Sequence, residues 1–187
     1  MIKLGITGSL ASGKSTAADY FSNKKYPLFS ADEEVKKLFL KKNFIKKIKK
    51  DFKIKKEKNI KNEIKNLIKK NIINLKKLEL LIHPLVRKEM KFFIKKKRKH
   101  KMLVFEIPLL FESKLGKYFN TIILVNAKKS LRLKRYLSKG GNKKMFSILN
   151  KRQISPTIKK KLSDFSIDNN RSTKELKKYV TKIINKL

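Results

Sequence analysis

The chain has 187 residues, 40% of them hydrophobic, and carries 52 Lys and Arg against 14 Asp and Glu, a formal net charge of +38 at pH 7. That length holds one domain, or one domain with a large insertion, and the apolar content at regular spacing excludes a disordered polybasic tail. Absence of Cys excludes disulfides and thiolate catalysis, two His (His83 and His100) argue against a histidine metal cluster, and no apolar run nears the ~18 residues of a membrane span.

In chain order, residues 2–7 form a short apolar run ending at Gly8, and from Lys14 the pattern turns helical through Ala17, Ala18, Tyr20 and Phe21. Residues 26–30 read as a second short strand, with Asp32 just beyond its end. From about 33 to 100 the apolar period is helical, through Ile45, Ile48 and Phe52, then Ile60, Ile64, Leu67, Ile68, Ile72, Leu75 and Leu78. Breaks at Asn43, Asn59 and Pro84 divide this stretch into three or four helices. Residues 102–108 and 121–125, β-branched-rich and bounded by polar residues, read as buried strands. A helix over about 129–138, a break at Gly140-Gly141-Asn142, a basic helix over 143–153, a last strand over 163–167 and a closing helix over 173–186 complete the chain. Alternating strands and helices predict an α/β fold with a parallel sheet of about five strands flanked by helices. The sheet-bearing core then spans 1–32 and 101–187, with 33–100 as a helical insertion.

Gly8-Ser9-Leu10-Ala11-Ser12-Gly13-Lys14-Ser15 fits G-x-x-x-x-G-K-[ST], which a chain of this composition contains by chance about once in two hundred cases. Its glycines permit backbone angles that let successive N–H groups converge on phosphate oxygens at a helix N-terminus. Lys14 brings a cation to the β/γ-phosphates and the Ser15 hydroxyl is placed to ligate Mg2+. Asp32 follows Lys14 within one strand-turn-helix unit, so two readings stand for it: a carboxylate that orients an attacking hydroxyl, or an N-cap of a helix beginning at Glu33.

Taken together these pieces resemble the dephospho-coenzyme A kinase family, which transfers the ATP γ-phosphate to the ribose 3′-hydroxyl of dephospho-CoA. The resemblance runs nearly end to end. It covers Gly5-Ile6-Thr7-Gly8 leading into Ser12 to Thr16, Ala31-Asp32, and Leu81-Ile82-His83-Pro84-Leu85-Val86-Arg87. It continues through Ile107-Pro108-Leu109-Leu110-Phe111-Glu112, Leu133-Lys134-Arg135, Gln153 with Lys159, and Asp164 followed by Ile167-Asp168-Asn169. The His-Pro-Leu and Pro-Leu-Leu-Phe-Glu segments are its specific part.

The resemblance implies a P-loop kinase fold with a short basic lid over about 138–160 and a cytoplasmic enzyme that is a monomer or weak oligomer. It implies Asp32, Lys14 and Arg135 as catalytic residues. ATP would be bound by Gly8, Ala11, Ser12, Gly13, Lys14, Ser15 and Thr16, with Asp168 and Asn169 near the adenine, and Mg2+ by Ser15. His83, Pro108, Leu109 and Glu112 would meet dephospho-CoA, although His83 also reads as satisfying a backbone group at a helix break, and Pro108 and Glu112 as shaping their loop. Glu106 reads either as reaching Mg2+ through water or as a buried, paired glutamate. The chain departs from the family at Ser9, Ala11, Ser30, Lys36, Asn126 and Lys139-Gly140. Lysine at 36 and 139 keeps the charge of arginine but loses its bidentate fork, which predicts weaker phosphate affinity.

Two other classes compete: a small phosphate-loop kinase of a nucleoside or nucleotide, and a nucleic-acid-binding ATPase. The 83–84 and 108–112 segments argue against the first. Against the second, the charge comes from 46 Lys and only 6 Arg, and Lys, Ile and Asn together supply 81 residues. These are residues of A/T-rich codons, so compositional drift outweighs an electrostatic footprint, and no interleaved aromatic-basic motif is present for base stacking. Specific nucleic-acid binding and membrane binding are therefore not expected.

Overall fold

Among the residues described by the computed structural model, 1–55 and 59–187, the strands are β1 (Ile2–Gly8), β2 (Leu28–Ser30), β3 (Met102–Glu106), β4 (Thr121–Asn126) and β5 (Phe165–Asp168). They form one parallel sheet in the order β2-β3-β1-β4-β5. Helices cover both faces of a parallel sheet, which is why β3 and β4 read as nearly continuous apolar runs rather than as alternation. Leu4, Ile6, Val104, Ile123 and Val125 pack on Ala17, Ala18 and Phe21 of α1 (Lys14–Ser22) and on Leu176 and Val180 of the last helix. On the other face Leu103, Phe105 and Ile122 pack with Phe29, Met90 and Leu110.

Parallel registry has a direct consequence for the site. Ile6 lies opposite Glu106, Ser30 opposite Glu106, Gly8 opposite Val125 and Asn126 opposite Asp168, so the C-terminal ends of the strands meet along one edge.

Between β2 and β3 lie α2 (Ala31–Leu38), α3 (Lys42–Phe52), α4 (Ile60–Lys70) and α5 (Ile73–Lys96). They enclose a core of their own, built from Leu38, Phe44, Ile48, Phe52, Ile64, Ile68, Leu75 and Ile82. After β4 follow α6 (Lys129–Ser138), α7 (Lys143–Lys151) and α8 (Pro156–Lys161), and β5 leads to α9 (Thr173–Ile184). Met145 of α7 is buried in the second core, with Tyr136, Ile148 and Leu149 packed against it. The segment expected as a lid is thus joined to the helices of the insertion by apolar contact.

The helix boundaries differ from expectation in four places. Asn43 lies within α3, and the break expected there falls at 39–41. Pro84 does not break the chain: it lies inside α5, which runs unbroken for 24 residues. Proline there removes one backbone hydrogen bond, but Leu75 and Ile82 are held in the second core and Met90 in the sheet core, so burial on both sides carries the helix through. The break falls instead at Asn71 and Ile72, within a stretch whose apolar spacing looked continuous. The short α8, not anticipated, is started by Ser155, whose hydroxyl accepts from the Ile158 N–H, with Pro156 in its first turn. No helix among the described residues is long and apolar enough to cross a membrane.

Candidate active site

The turn from β1 into α1 carries the phosphate-loop motif. Gly8 ends the strand against β4, where an added Cβ would sit 2.2 Å from the Val125 carbonyl oxygen. Gly13 adopts a φ of 95°, and a Cβ there would lie 2.2 Å from the Asn169 amide nitrogen, so only glycine fits. Ala11 also takes a left-handed φ of 59°, at the modest cost an L-residue bears there. Ala11, Gly13, Lys14, Ser15 and Thr16 line a cavity of about 530 Å³, shared with Asp32, Arg135, Lys139, Asn169 and Arg171 among others. Ser12 lies beneath it, fully buried, its carbonyl accepting from the Asn169 side chain at 2.9 Å.

A long-range polar network supports the loop. Glu106, at the end of β3 and 4% exposed, accepts from the Ser15 hydroxyl at 2.5 Å and from the Ser30 hydroxyl at 2.8 Å. Ser30 is also the N-cap of α2, accepting from the Glu33 N–H, so the capping role that the sequence allowed Asp32 belongs to Ser30. Asp32 is left free of that duty in the first turn of α2. Its side chain reaches solvent but has protein mass on most sides, and this desolvation raises its carboxyl above the ordinary 3.8; Lys14 acts against the rise and Glu106 with it.

Arg135 holds the loop from the other side. Its guanidinium donates to the Asn169 carbonyl at 3.1 Å and to the Ser12 carbonyl at 3.4 Å. Asn169 faces the cavity, whereas Asp168 is on the exposed end of β5, accepting from the Asn126 side chain at 3.1 Å. Arg132 and Gln153 have positioning roles that sequence reasoning missed. Arg132, buried in α6, donates to the carbonyls of Ala127 and Leu10 and to the Asn150 side chain. The Gln153 side chain accepts from the Leu10 N–H at 2.9 Å. Spacing of Arg132 one turn before Arg135 was visible, but nothing local distinguishes a buried arginine from an exposed one.

A second cavity of about 380 Å³ opens between α2, α5 and the segment after β3, with a largely apolar wall that includes Leu75, Leu78, Ile82, Val86 and Leu149. His83, Pro108 and Leu109 line it. Burial holds the His83 imidazole below its ordinary value, with Glu79 opposing and Arg87 and Arg152 reinforcing, which favours the neutral ring near pH 7. Asp32 lines this cavity as well as the first. Lys36, by contrast, pairs with Glu33 at 2.6 Å on the exposed side of α2.

Glu112 does not line either cavity. It accepts from the Ile154 N–H at 3.0 Å and pairs with Lys159, fully buried, at 2.8 Å, while the Lys159 ammonium approaches the Pro108 carbonyl at 3.5 Å. Burial pulls Lys159 below the usual lysine value and Glu112 opposes that shift. The pair pins the 108–112 loop to α8. Lys159→Met should therefore leave a buried, unpaired carboxylate and cost about 3–5 kcal/mol, read as a lower urea midpoint at an unchanged slope. An unchanged midpoint would mean that the pair contributes nothing.

Comparison with known proteins accords with this geometry. A family model described as dephospho-CoA kinase matches residues 2–175. The dephospho-CoA kinase of Bartonella quintana is 37% identical over 189 residues, covering 98% of this chain and 97% of its own length. The solved dephospho-CoA kinase of Campylobacter jejuni is 26% identical, covers 98% of this chain and 95% of its own, and superposes with a TM-score of 0.67. A Thermus thermophilus structure, 24% identical, shares the fold at a TM-score of 0.79 over 100% of this chain and 97% of its own. With the family match spanning the phosphate loop, the insertion and β5, the chain belongs to the dephospho-CoA kinase family of P-loop phosphotransferases.

Proposed function

We propose that the two cavities hold the two substrates of one phosphoryl transfer: ATP over the phosphate loop, and dephospho-CoA against α5 and the segment after β3. The observation that carries this reading is Asp32, which lines both cavities. A carboxylate at such a junction accepts the proton of the ribose 3′-hydroxyl, or orients it, as that oxygen attacks the γ-phosphorus. Burial raises its pKa, and Lys14 acts against that rise, in favour of the ionised form that a proton acceptor needs. Lys14 neutralises the β/γ-phosphates, and Arg135 keeps the loop in the shape that receives them. The products are CoA and ADP.

Ser15 and Glu106, hydrogen-bonded to each other beside the loop, form a set of hard oxygen donors that suits Mg2+. Bound there, the ion would supply charge neutralisation on the phosphates, with Ser15 as a direct ligand. Ser30 holds the second Glu106 oxygen in place. The apolar wall with His83, Pro108 and Leu109 suits the long, weakly polar pantetheine arm, while Glu112 acts on the acceptor site through the loop it anchors. We read 33–100 as the substrate-binding insertion and 138–160 as the lid of a cytoplasmic enzyme.

The test is ADP release with ATP and Mg2+, comparing dephospho-CoA with adenosine, CMP and single-stranded DNA as the added partner. Stimulation by dephospho-CoA alone is expected. Equal stimulation by adenosine or CMP would favour a nucleoside or nucleotide kinase, and stimulation by DNA an accessory ATPase.

A further inference from the structure

Five cations line the cavity over the phosphate loop, Lys14, Lys65, Arg135, Lys139 and Arg171, and Asp32 is the one carboxylate among the described lining residues. Two of the five already have partners. Arg135 donates to the Ser12 and Asn169 carbonyls, and Arg171 pairs with Glu175 at 3.0 Å on the exposed surface. Lys65 has no hydrogen bond or ion pair among the described residues, and it differs from the others in origin: it comes from α4, inside the helical insertion. Ile64 and Ile68, one turn apart, are buried in the second core and fix the rotation of α4, and Lys65 stands on the adjoining face. Another lysine of the same helix, Lys61, lies over the Phe39 ring instead, so cavity-lining is not a general property of these lysines.

We propose that Lys65 is a phosphate-binding residue of the reaction, delivered to the nucleotide site by the insertion. The inference rests on the reading of this cavity as the ATP site. With α7 packed on the same core as α4, the insertion brings a second cation to the cavity that Lys14 lines. A free ammonium is a mobile point charge, suited to meet a phosphoryl oxygen without the fixed fork of an arginine. The phosphate it meets belongs either to the end of the ATP chain or to the diphosphate of dephospho-CoA, which the same chemistry serves.

The experiment compares Lys65→Ala and Lys65→Arg with the unmodified enzyme by steady-state kinetics, by calorimetric titration with ATP and with ADP, and by thermal melting. Lys65→Ala should lower kcat/KM by roughly tenfold or more, Lys65→Arg should restore most of it, and the melting temperature should hold because the side chain is exposed and unpaired. If the contact is to the ATP terminus, ATP affinity falls and ADP affinity does not. If it is to the acceptor diphosphate, the KM for dephospho-CoA rises with ATP affinity unchanged. Kinetic constants and affinities all within twofold of the unmodified enzyme would overturn the proposal, as would a loss in both variants with a lowered melting temperature. An unmodified enzyme that fails to phosphorylate dephospho-CoA would instead overturn the substrate reading, and the ATP and ADP titrations would still report on Lys65.

Discussion

Lys14→Ala should abolish turnover and weaken ATP binding. Lys14 opens α1 and is 7% exposed, so its ammonium sits where the loop N–H groups and the helix N-terminus already favour an anion. Truncation removes a charge that acts on the phosphates in both ground and transition states, so affinity and rate fall together. A loss of about 10³-fold in kcat/KM, or more, is expected from removing a preorganised cation at a developing charge. Stability should move little, because Lys14 is repelled by the buried Lys159 but attracts the Asp32 carboxylate, and the two act in opposite senses. Measured turnover close to that of the unmodified enzyme would remove phosphate-loop chemistry from the protein.

For Asp32→Asn the expected result is a kcat lower by roughly 10²-fold with ATP affinity little altered, in line with the contribution of a positioned proton acceptor. Transfer through a loose transition state needs limited base assistance, which sets the lower end of that range as the expectation. The melting temperature should stay constant or rise. Ser30, not Asp32, caps α2, and the substitution removes a carboxylate whose charged form is disfavoured by desolvation and by Glu106. Loss of rate without loss of stability is therefore the signature. A variant that keeps more than about half of the dephospho-CoA phosphorylation would sink the assignment of Asp32 and leave family membership untouched.

The raised Asp32 pKa gives a direction for pH dependence in the same experiment. Activity that requires the ionised carboxylate falls as pH drops through a value above the ordinary 3.8, and Asp32→Asn should remove that acid limb from its residual rate.

Much of the architecture was legible because it rests on local rules. Short β-branched runs bounded by polar residues gave the strands, and the phosphate-loop motif announced its own strand-turn-helix context, since its glycines answer to backbone angles within a few residues. The helix over 129–138 and the break at 140–142 were likewise local. Where periodicity misled, tertiary burial was the reason. Pro84 breaks an isolated helix, yet α5 continues through it because its two halves are anchored in different cores.

The site divides in the same way. Sequence alone determined the phosphate loop, its cation and the presence of a carboxylate after the second strand, because each is a residue type at fixed spacing along one short segment. Only the tertiary structure decided that Glu106 joins Ser15 and Ser30, across 91 and 76 positions, that Asp32 borders two cavities, and that Glu112 anchors a loop rather than lining a pocket. It also decided that Lys65, one of 46 lysines, lines the cavity over the phosphate loop. The physical reason is that strand registry and the packing of α4 and α7 on a shared core bring these groups together. A pairing set by the burial of other residues leaves no periodic trace around the residues that it joins.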